Sequence, residues 1–441
     1  MKSDRKHKGE VAGSVHRVGI GDEIYGLIEK LYPICRSITG DGVRETLEIM
    51  REHIPLDIRE VPSGTQVFDW VVPKEWNIRD AYVKNSRGKR IIDFQGHNLH
   101  VVSYSAPINR VVPLAELRDH LSSLPEHPAW IPYRTSYYNQ TWGFCVSQKQ
   151  LEQLTEKEYE VCIDSTLEEG SLTYAEYFLP GEMQDEVLIF THLCHPSLCN
   201  DNLSGISVVA HLAKHLAALK RRYSYRFVFA PGTIGSITWL SENRTQLDQI
   251  KHGLVVALVG DDGPFTYKRS RRGDAEIDRA ATHVLRHCGE EAKLLDFIPF
   301  GYDERQFCSP GINLPVGRLT RTPNGCYPEY HTSADDLAFV RPERLSESFI
   351  QCLKIFRVLE QNRYYENTNP MCEPQLGRRG LYRTTGGTDI PGRELALLWV
   401  LNMSDGEHSL LDVAELAGMD FDVICSAAGE LLRAGLLSPV E

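Results

Sequence analysis

Nowhere in its 441 residues does the sequence run apolar for the ~18 residues that a membrane-spanning helix needs, so no membrane partner is expected. The opening stretch, MKSDRKHKGEVAGSVHRVG, lacks the apolar segment of a secretion signal. Residues 1–20 therefore read as a disordered leader. Positive charge is in deficit: 48 Lys and Arg stand against 60 Asp and Glu, for a net charge of −12 and a pI near 5.8. That balance argues against a general nucleic-acid binder. The eleven cysteines are odd in number and lack a repeating spacing. They suit reduced thiols in a cytoplasm and exclude a disulfide framework.

What is present centres on residues 187–214, VLIFTHLCHPSLCNDNLSGISVVAHLAK. A buried-strand run, residues 187–190, gives way to a dense cluster of His192, Cys194, His195, Cys199, Asn200, Asp201 and Asn202. Ile206, Val209, Leu212, Ala213 and Leu216 then repeat at helical spacing. Open α/β sheets build their sites in this way, at the carboxyl ends of strands. A second cluster, PEYHTSADDL, occupies residues 328–337.

Further runs at 225–230, 254–259, 294–298 and 316–319 read as strands alternating with helices at 277–288 and 345–361. The fold class is thus α/β, a mostly parallel sheet flanked by helices. Two helices precede it between residues 22 and 51. Residues 70–169 have a different texture, with short β-type runs broken by Gly, Pro and Asn and an aromatic middle of Tyr133, Tyr137, Tyr138 and Trp142. This is an expected inserted β domain, leaving residues 21–69 and 170–365 to the main domain. Its tyrosines read first as core and second as a wall facing a substrate. After a linker at 362–384, three helical patterns and a terminal strand over 385–441 outline a winged helix. Ten Asp and Glu against Arg393 and Arg433 after residue 388 make nucleic acid an unexpected partner for it. Docking or dimerisation suits that module better, and a homo-oligomer is left open.

An HLC after a strand, a DNLSG opening a helix and a late YHTSADDL together resemble the zinc aminopeptidases of the M28 type. More closely, the chain is similar to bacterial aminopeptidase-like proteins with an inserted β domain and a C-terminal winged helix. The resemblance implies that His192, Asp201 and His331 hold one or two zinc ions, with Asp261 or Asp262 assisting. His195 is an outer partner or an alternative ligand. Read without the resemblance, Asp201 could cap a helix, and His331 could be an interior histidine. The His192, Cys194, His195, Cys199 loop could also close a structural zinc site.

The resemblance also predicts a Glu-Glu pair after the strand at 225–230, the first Glu being the general base. Here the stretch reads APGTIGS and holds no carboxylate. Replacement candidates are Glu304 and Asp303 in GYDERQ, and Glu329, each with salt bridging as its plain alternative. The basic run KRSRR at 268–272 offers Arg271 and Arg272, and Arg321 follows later, as candidate anchors for an anionic substrate group. The expected reaction is zinc-assisted hydrolysis of an amide in a small peptide or an amino sugar. The rival reading is a binding protein on a peptidase scaffold that has lost its base.

Overall fold

The computed structural model describes residues 19–381 and 392–440. All but the end of the expected leader, the last three residues of the linker and residues 385–391 lie outside the described residues. Among the described residues, no helix is long and apolar enough to cross a membrane.

One eight-stranded sheet organises the molecule, in the order Asp57–Pro62, Ser171–Leu179, Ser224–Ala230, Glu186–His192, Ile250–Val256, Val316–Thr320, Phe265–Lys268 and Ala292–Leu295. The central four strands are parallel, while Asp57–Pro62, Ser171–Leu179 and Phe265–Lys268 join them in antiparallel pairings. Alternate side chains of each strand serve opposite faces, as a period of two requires. Val187 and Ile189 enter the core under helices Ile20–Leu31, Gly205–Ala217 and Pro342–Gln361, whereas Leu188 and Phe190 enter a second core containing Trp239 and Phe307. Burial on both faces explains why these strands are apolar throughout.

Strand Glu186–His192 is paired on one side by Ser224–Ala230 and on the other by Ile250–Val256. The chain first crosses one way and then the other, so a crevice opens at the carboxyl end of Glu186–His192. His192 is that strand's last residue.

Each core runs on into an added module. The second continues into an antiparallel sheet of Arg90–Asp93, Glu75–Lys84, Glu158–Glu168 and Ile108–Pro113, inserted between two strands of the main sheet. The first continues through Leu397, Leu411 and Ile424 of the C-terminal helices Gly392–Met403, Leu410–Ala417 and Phe421–Arg433. Their wing is a three-stranded sheet, Asp405–Ser409, Tyr364–Asn367 and Leu437–Pro439, so the winged helix takes its central strand from residues just after the main domain's last helix.

Candidate metal centre and its cavity

Four side chains converge at the crevice. His192 Nε2 lies 2.8 Å from Asp201 Oδ1, and His195 Nδ1 lies 3.3 Å from the same oxygen. His331 Nε2 lies 2.9 Å from the other oxygen, Oδ2. The ligand-type atoms of His192, His195 and Asp201 all fall within 4.8 Å of one another, and all three residues are buried. The structure therefore brings His195 to Asp201 as well, at a longer distance than the other two imidazoles, and it joins motifs 130 residues apart.

Local architecture explains the convergence. Asp201 sits in a tight turn, Cys199–Ser204, ahead of helix Gly205–Ala217, and its peptide to Asn202 is cis. Asn202 donates to Thr191 Oγ1 (2.8 Å) and the His192 carbonyl (2.9 Å) and accepts from Leu258 N (3.1 Å). Asn200 accepts from Gly260 N (2.9 Å), and its amide donates to Asp261 Oδ2 (2.9 Å). The turn is thereby stitched to two strand ends. Asp335, from the second motif, then accepts from the backbone amides of Asn200 (2.6 Å) and Asp201 (2.9 Å), one on each oxygen. No spacing argument singles out Asp335, although it lies inside the quoted motif. Arg36 is likewise illegible in the sequence: fully buried, it donates from Nε to the His195 carbonyl at 2.9 Å.

The electrostatics suit a cation. Burial pushes His192 down to about 4 and lowers His331, so both imidazoles are neutral donors at neutral pH. Burial also opposes charge on His195, but Asp201 and Cys194 beside it hold its pKa well above the imidazole range, so a metal ion bound beside Asp201 would take the place of that proton. Asp201 is held far below the carboxylate range: burial opposes this, and the three imidazoles outweigh it. Burial pushes Asp335 up to about 8 despite its two amide donors. An ionised carboxylate ringed by imidazole nitrogens is the donor chemistry of hydrolytic zinc. The closed thiolate site weighed from the sequence does not form, because the Cys194 sulfur accepts from Gly232 N (3.2 Å) and neither Cys194 nor Cys199 joins the cluster.

The other candidates lie elsewhere. Asp261 is saturated by Asn200, Gly263 N (2.7 Å) and Thr322 Oγ1 (2.6 Å), and does not join the cluster. Asp262 is exposed and pairs with Arg341 and Arg344. Glu304 is fully buried, ion-paired with Lys268 and 3.8 Å from Arg318. Burial would raise its pKa, but those two cations hold it down, so it is a locked internal ion. Asp303 is also fully buried, its Oδ1 accepting from Thr233 N (2.8 Å) and Ser236 Oγ (2.7 Å). Burial pushes it up to about 7, and its Oδ2 has no partner. Glu329 is half-buried, with no hydrogen bond or ion pair from its carboxylate among the described residues.

Arg271 and Arg272 are exposed and donate to Asn313, at 3.0 Å to its side chain and 2.8 Å to its carbonyl. Arg321 is buried against Gly263 O (2.7 Å), Glu347 and the Phe265 ring. None of the three reaches the cavity beside the cluster, so the expectation of an anionic substrate group held there lacks its anchors.

That cavity measures about 300 Å³ and has Cys194, His195 and His331 in its wall. The inserted domain supplies Tyr133, Thr135, Tyr137 and Tyr138, so the alternative reading of those tyrosines holds: they face the site. They are fixed there by hydrogen bonds to the loop of His331, Tyr133 N to His331 O (2.7 Å) and Ser333 N to Ile131 O (2.8 Å). Tyr133 meets both His195 and His331 edge-on, and Tyr330 stacks on His331 at 3.9 Å. His331 itself is held at a positive φ of 56°.

Gly232 and Thr233 stand at the wall where the resemblance expects carboxylates. A Cβ on Gly232 would come within 2.4 Å of the Tyr302 ring. Tyr302 thus fills that space from another loop, its ring 4.2 Å from that of His192 and its hydroxyl 3.4 Å from His195 Nε2. The sequence shows the loss of the carboxylate but not its replacement.

Comparison with known proteins agrees with this architecture. Residues 25–362 match the family model described as "Domain of unknown function (DUF4910)", and residues 363–439 match a winged helix-turn-helix. A Clostridium acetobutylicum protein is 56% identical over 421 residues, covering 95% of this chain and 97% of its own. Its name places it, provisionally, in polysaccharide biosynthesis and gives it an aminopeptidase-like domain. A crystal structure from the same organism, described provisionally as a peptidase, superposes with a TM-score of 0.92 at 54% identity, over 95% of this chain and 96% of that one. The zinc aminopeptidase of Bacillus subtilis superposes with a TM-score of 0.56 at 14% identity, over 78% of this chain and 96% of that one. An M28 peptidase precursor of Shewanella amazonensis gives 0.54 at 14%, over 77% and 93%. These last two show the fold alone.

Proposed function

The chain belongs to the DUF4910 family, with a winged helix-turn-helix after the family domain, and from that footing we propose that it is a zinc-dependent hydrolase of an amide bond. The observation that carries the reading is the His192, His195, Asp201 triad, with His331 on the second Asp201 oxygen, opening onto a cavity sized for a small substrate. The substrate class is a small peptide or an amino sugar. The aminopeptidase-like folds of the relatives support the chemistry, and the name of the Clostridium relative supports the sugar.

His192, His195 and Asp201 would hold one ion, and His331 would complete the set or hold a second through the shared carboxylate. Bound there, zinc would polarise the substrate carbonyl and ease ionisation of water. Asp335 and Asn202 keep Asp201 and His192 aimed at a common point. Tyr133 and Tyr302 line the cavity beside the cluster. In place of the usual carboxylate at the loop after Ser224–Ala230, the Tyr302 hydroxyl is a polar group at the cavity wall able to hydrogen-bond a substrate oxygen. Asp303 lies one layer behind it, bonded to Thr233.

The loss of that carboxylate favours a second reading, a binding protein that retains the ion without turnover. Elemental analysis of protein purified without chelators, wild type beside Asp201→Ala and His331→Ala, tests the centre. We expect zinc in the wild type and its loss from Asp201→Ala. Zinc retained in both variants would overturn the site. Zinc without release of amine from any member of a panel of peptides and N-acyl amino sugars would select the binding protein. A cytoplasmic location is part of the same proposal, supported by eleven cysteines that all remain unpaired.

A further inference from the structure

The cavity wall is unusual in what it omits. Beyond the two imidazoles of His195 and His331 it contains, among the described residues, no carboxylate, lysine or arginine. A free ammonium entering this wall would leave water without meeting a carboxylate to pair with, which is unfavourable. The wall offers instead the aromatic faces of Trp70, Tyr133, Tyr137, Tyr138 and Tyr302. Its hydroxyls are neutral and include a Tyr133–Tyr137 pair at 2.8 Å.

Two of these rings are unspent. Trp70 is 39% exposed and Tyr138 is 56% exposed, yet they meet edge-to-face at 5.7 Å. They reach this place from different segments, Trp70 from the short hairpin of Gln66–Val67 and Trp70–Val71, and Tyr138 from the middle of the inserted domain. Large exposed aromatics brought together from two segments at a cavity rim mark a binding surface, because leaving them wet is unfavourable.

We infer that Trp70 and Tyr138 form the ring-stacking platform of this site and that its substrate is an uncharged N-acylated hexosamine, the sugar's apolar face lying on the aromatics and its acylamino group toward His195 and His331. This rests on the hydrolase reading for the role of the ions and narrows its substrate to one class. A pyranose has a C–H face for the rings and neutral hydroxyls for the tyrosines. A peptide amino terminus would bring an ammonium for which this wall holds no carboxylate among the described residues.

The test is saturation-transfer NMR on the zinc-loaded full-length protein, using the methyl glycosides of N-acetylglucosamine and N-acetylgalactosamine, with leucine amide, N-methylacetamide and methyl glucosaminide as comparisons. Tryptophan fluorescence gives the affinity. We expect saturation of the sugar ring protons by at least one acetylated glycoside and weaker response to the other three probes. Trp70→Ala and Tyr138→Ala should each weaken glycoside binding by about tenfold, the scale of one aromatic contact, and Trp70→Phe should restore it. Unchanged binding in both alanine variants, or leucine amide binding in preference to both glycosides, would overturn the inference. So would the binding of neither glycoside. Glycoside binding that depends on Trp70 without release of acetate would leave the platform standing and remove the hydrolase. Hydrolysis of leucine amide without glycoside binding would do the reverse.

Discussion

At the scale of single residues, the centre depends as much on side chains that hold ligands as on the ligands. Asp335 uses both carboxylate oxygens to tie down the amides of Asn200 and Asp201. Asp335→Asn keeps the shape but turns one acceptor into a donor facing an N–H. We expect zinc affinity, measured by chelator competition, to fall by about 10- to 100-fold, the usual effect of losing a group that orients a ligand. Unchanged affinity would show that the turn holds itself. The resemblance points to His192, Asp201 and His331 through its motifs, but Glu304 shows the limit of reading a sequence. An acidic residue in a polar loop looks the same whether it faces a substrate or, as here, lies at 0% exposure against Lys268 and Arg318. Only packing between distant segments distinguishes the two.

At the scale of elements, the loop between strand Ser224–Ala230 and helix Ile234–Glu242 shows how a lost carboxylate has been accommodated. Thr233 stands at a φ of 61°, a strained value for a β-branched residue, and its amide is held by Asp303. Because burial raises the Asp303 pKa to about 7, the folded protein binds a proton there that the unfolded chain releases near pH 4. The contribution of Asp303 to stability is therefore fully present below about pH 4 and is lost as pH rises through about 7. Asp303→Asn keeps an acceptor for Thr233 and cannot ionise. Its melting temperature should gain on the wild type as pH is raised from 5 to 8, as checked by scanning calorimetry. A constant difference would mean that Asp303 does not titrate in this range. In the same loop, Gly232→Ala must push Tyr302 aside, since even a Cβ would approach to 2.4 Å. We expect loss of activity with zinc retained, read by turnover beside metal analysis; full activity would free Tyr302 of any role. The sequence could not reveal this pairing, because the two loops are 70 residues apart and touch only through the sheet's end.

At the scale of the whole molecule, alternation of strands and helices was legible because strands buried on both faces are apolar throughout. The joins between parts were not. Strand Ser171–Leu179 pairs with Asp57–Pro62 across the entire insertion, and Tyr364–Asn367 sits between the two wing strands despite following the main domain directly. Both pairings close over a long stretch of chain, which local patterns do not report. The joins also decide what the winged helix can do. Arg279 of the main domain pairs with Asp412 and Glu415, and Arg357 pairs with Asp422. Three of its acidic residues thus face the protein's own body. These ion pairs are partly exposed and worth only about 0–1 kcal/mol each. The apolar core that runs through Leu397, Leu411 and Ile424 is the stronger tie. Calorimetry should therefore show the winged helix unfolding with the main domain in one transition, and Arg279→Ala should lower the melting temperature only slightly. A separate early transition, enlarged by Arg279→Ala or by salt, would mean that the ion pairs hold the module. The remaining surface keeps the acidic excess that repels a phosphate backbone. A fluorescence-anisotropy titration with random duplex DNA at low salt should stay flat, because counterion release, the source of non-specific affinity, works against the acidic excess of the chain. A rise that steepens as salt is lowered would show a basic surface that neither the composition nor the ion pairs reveal.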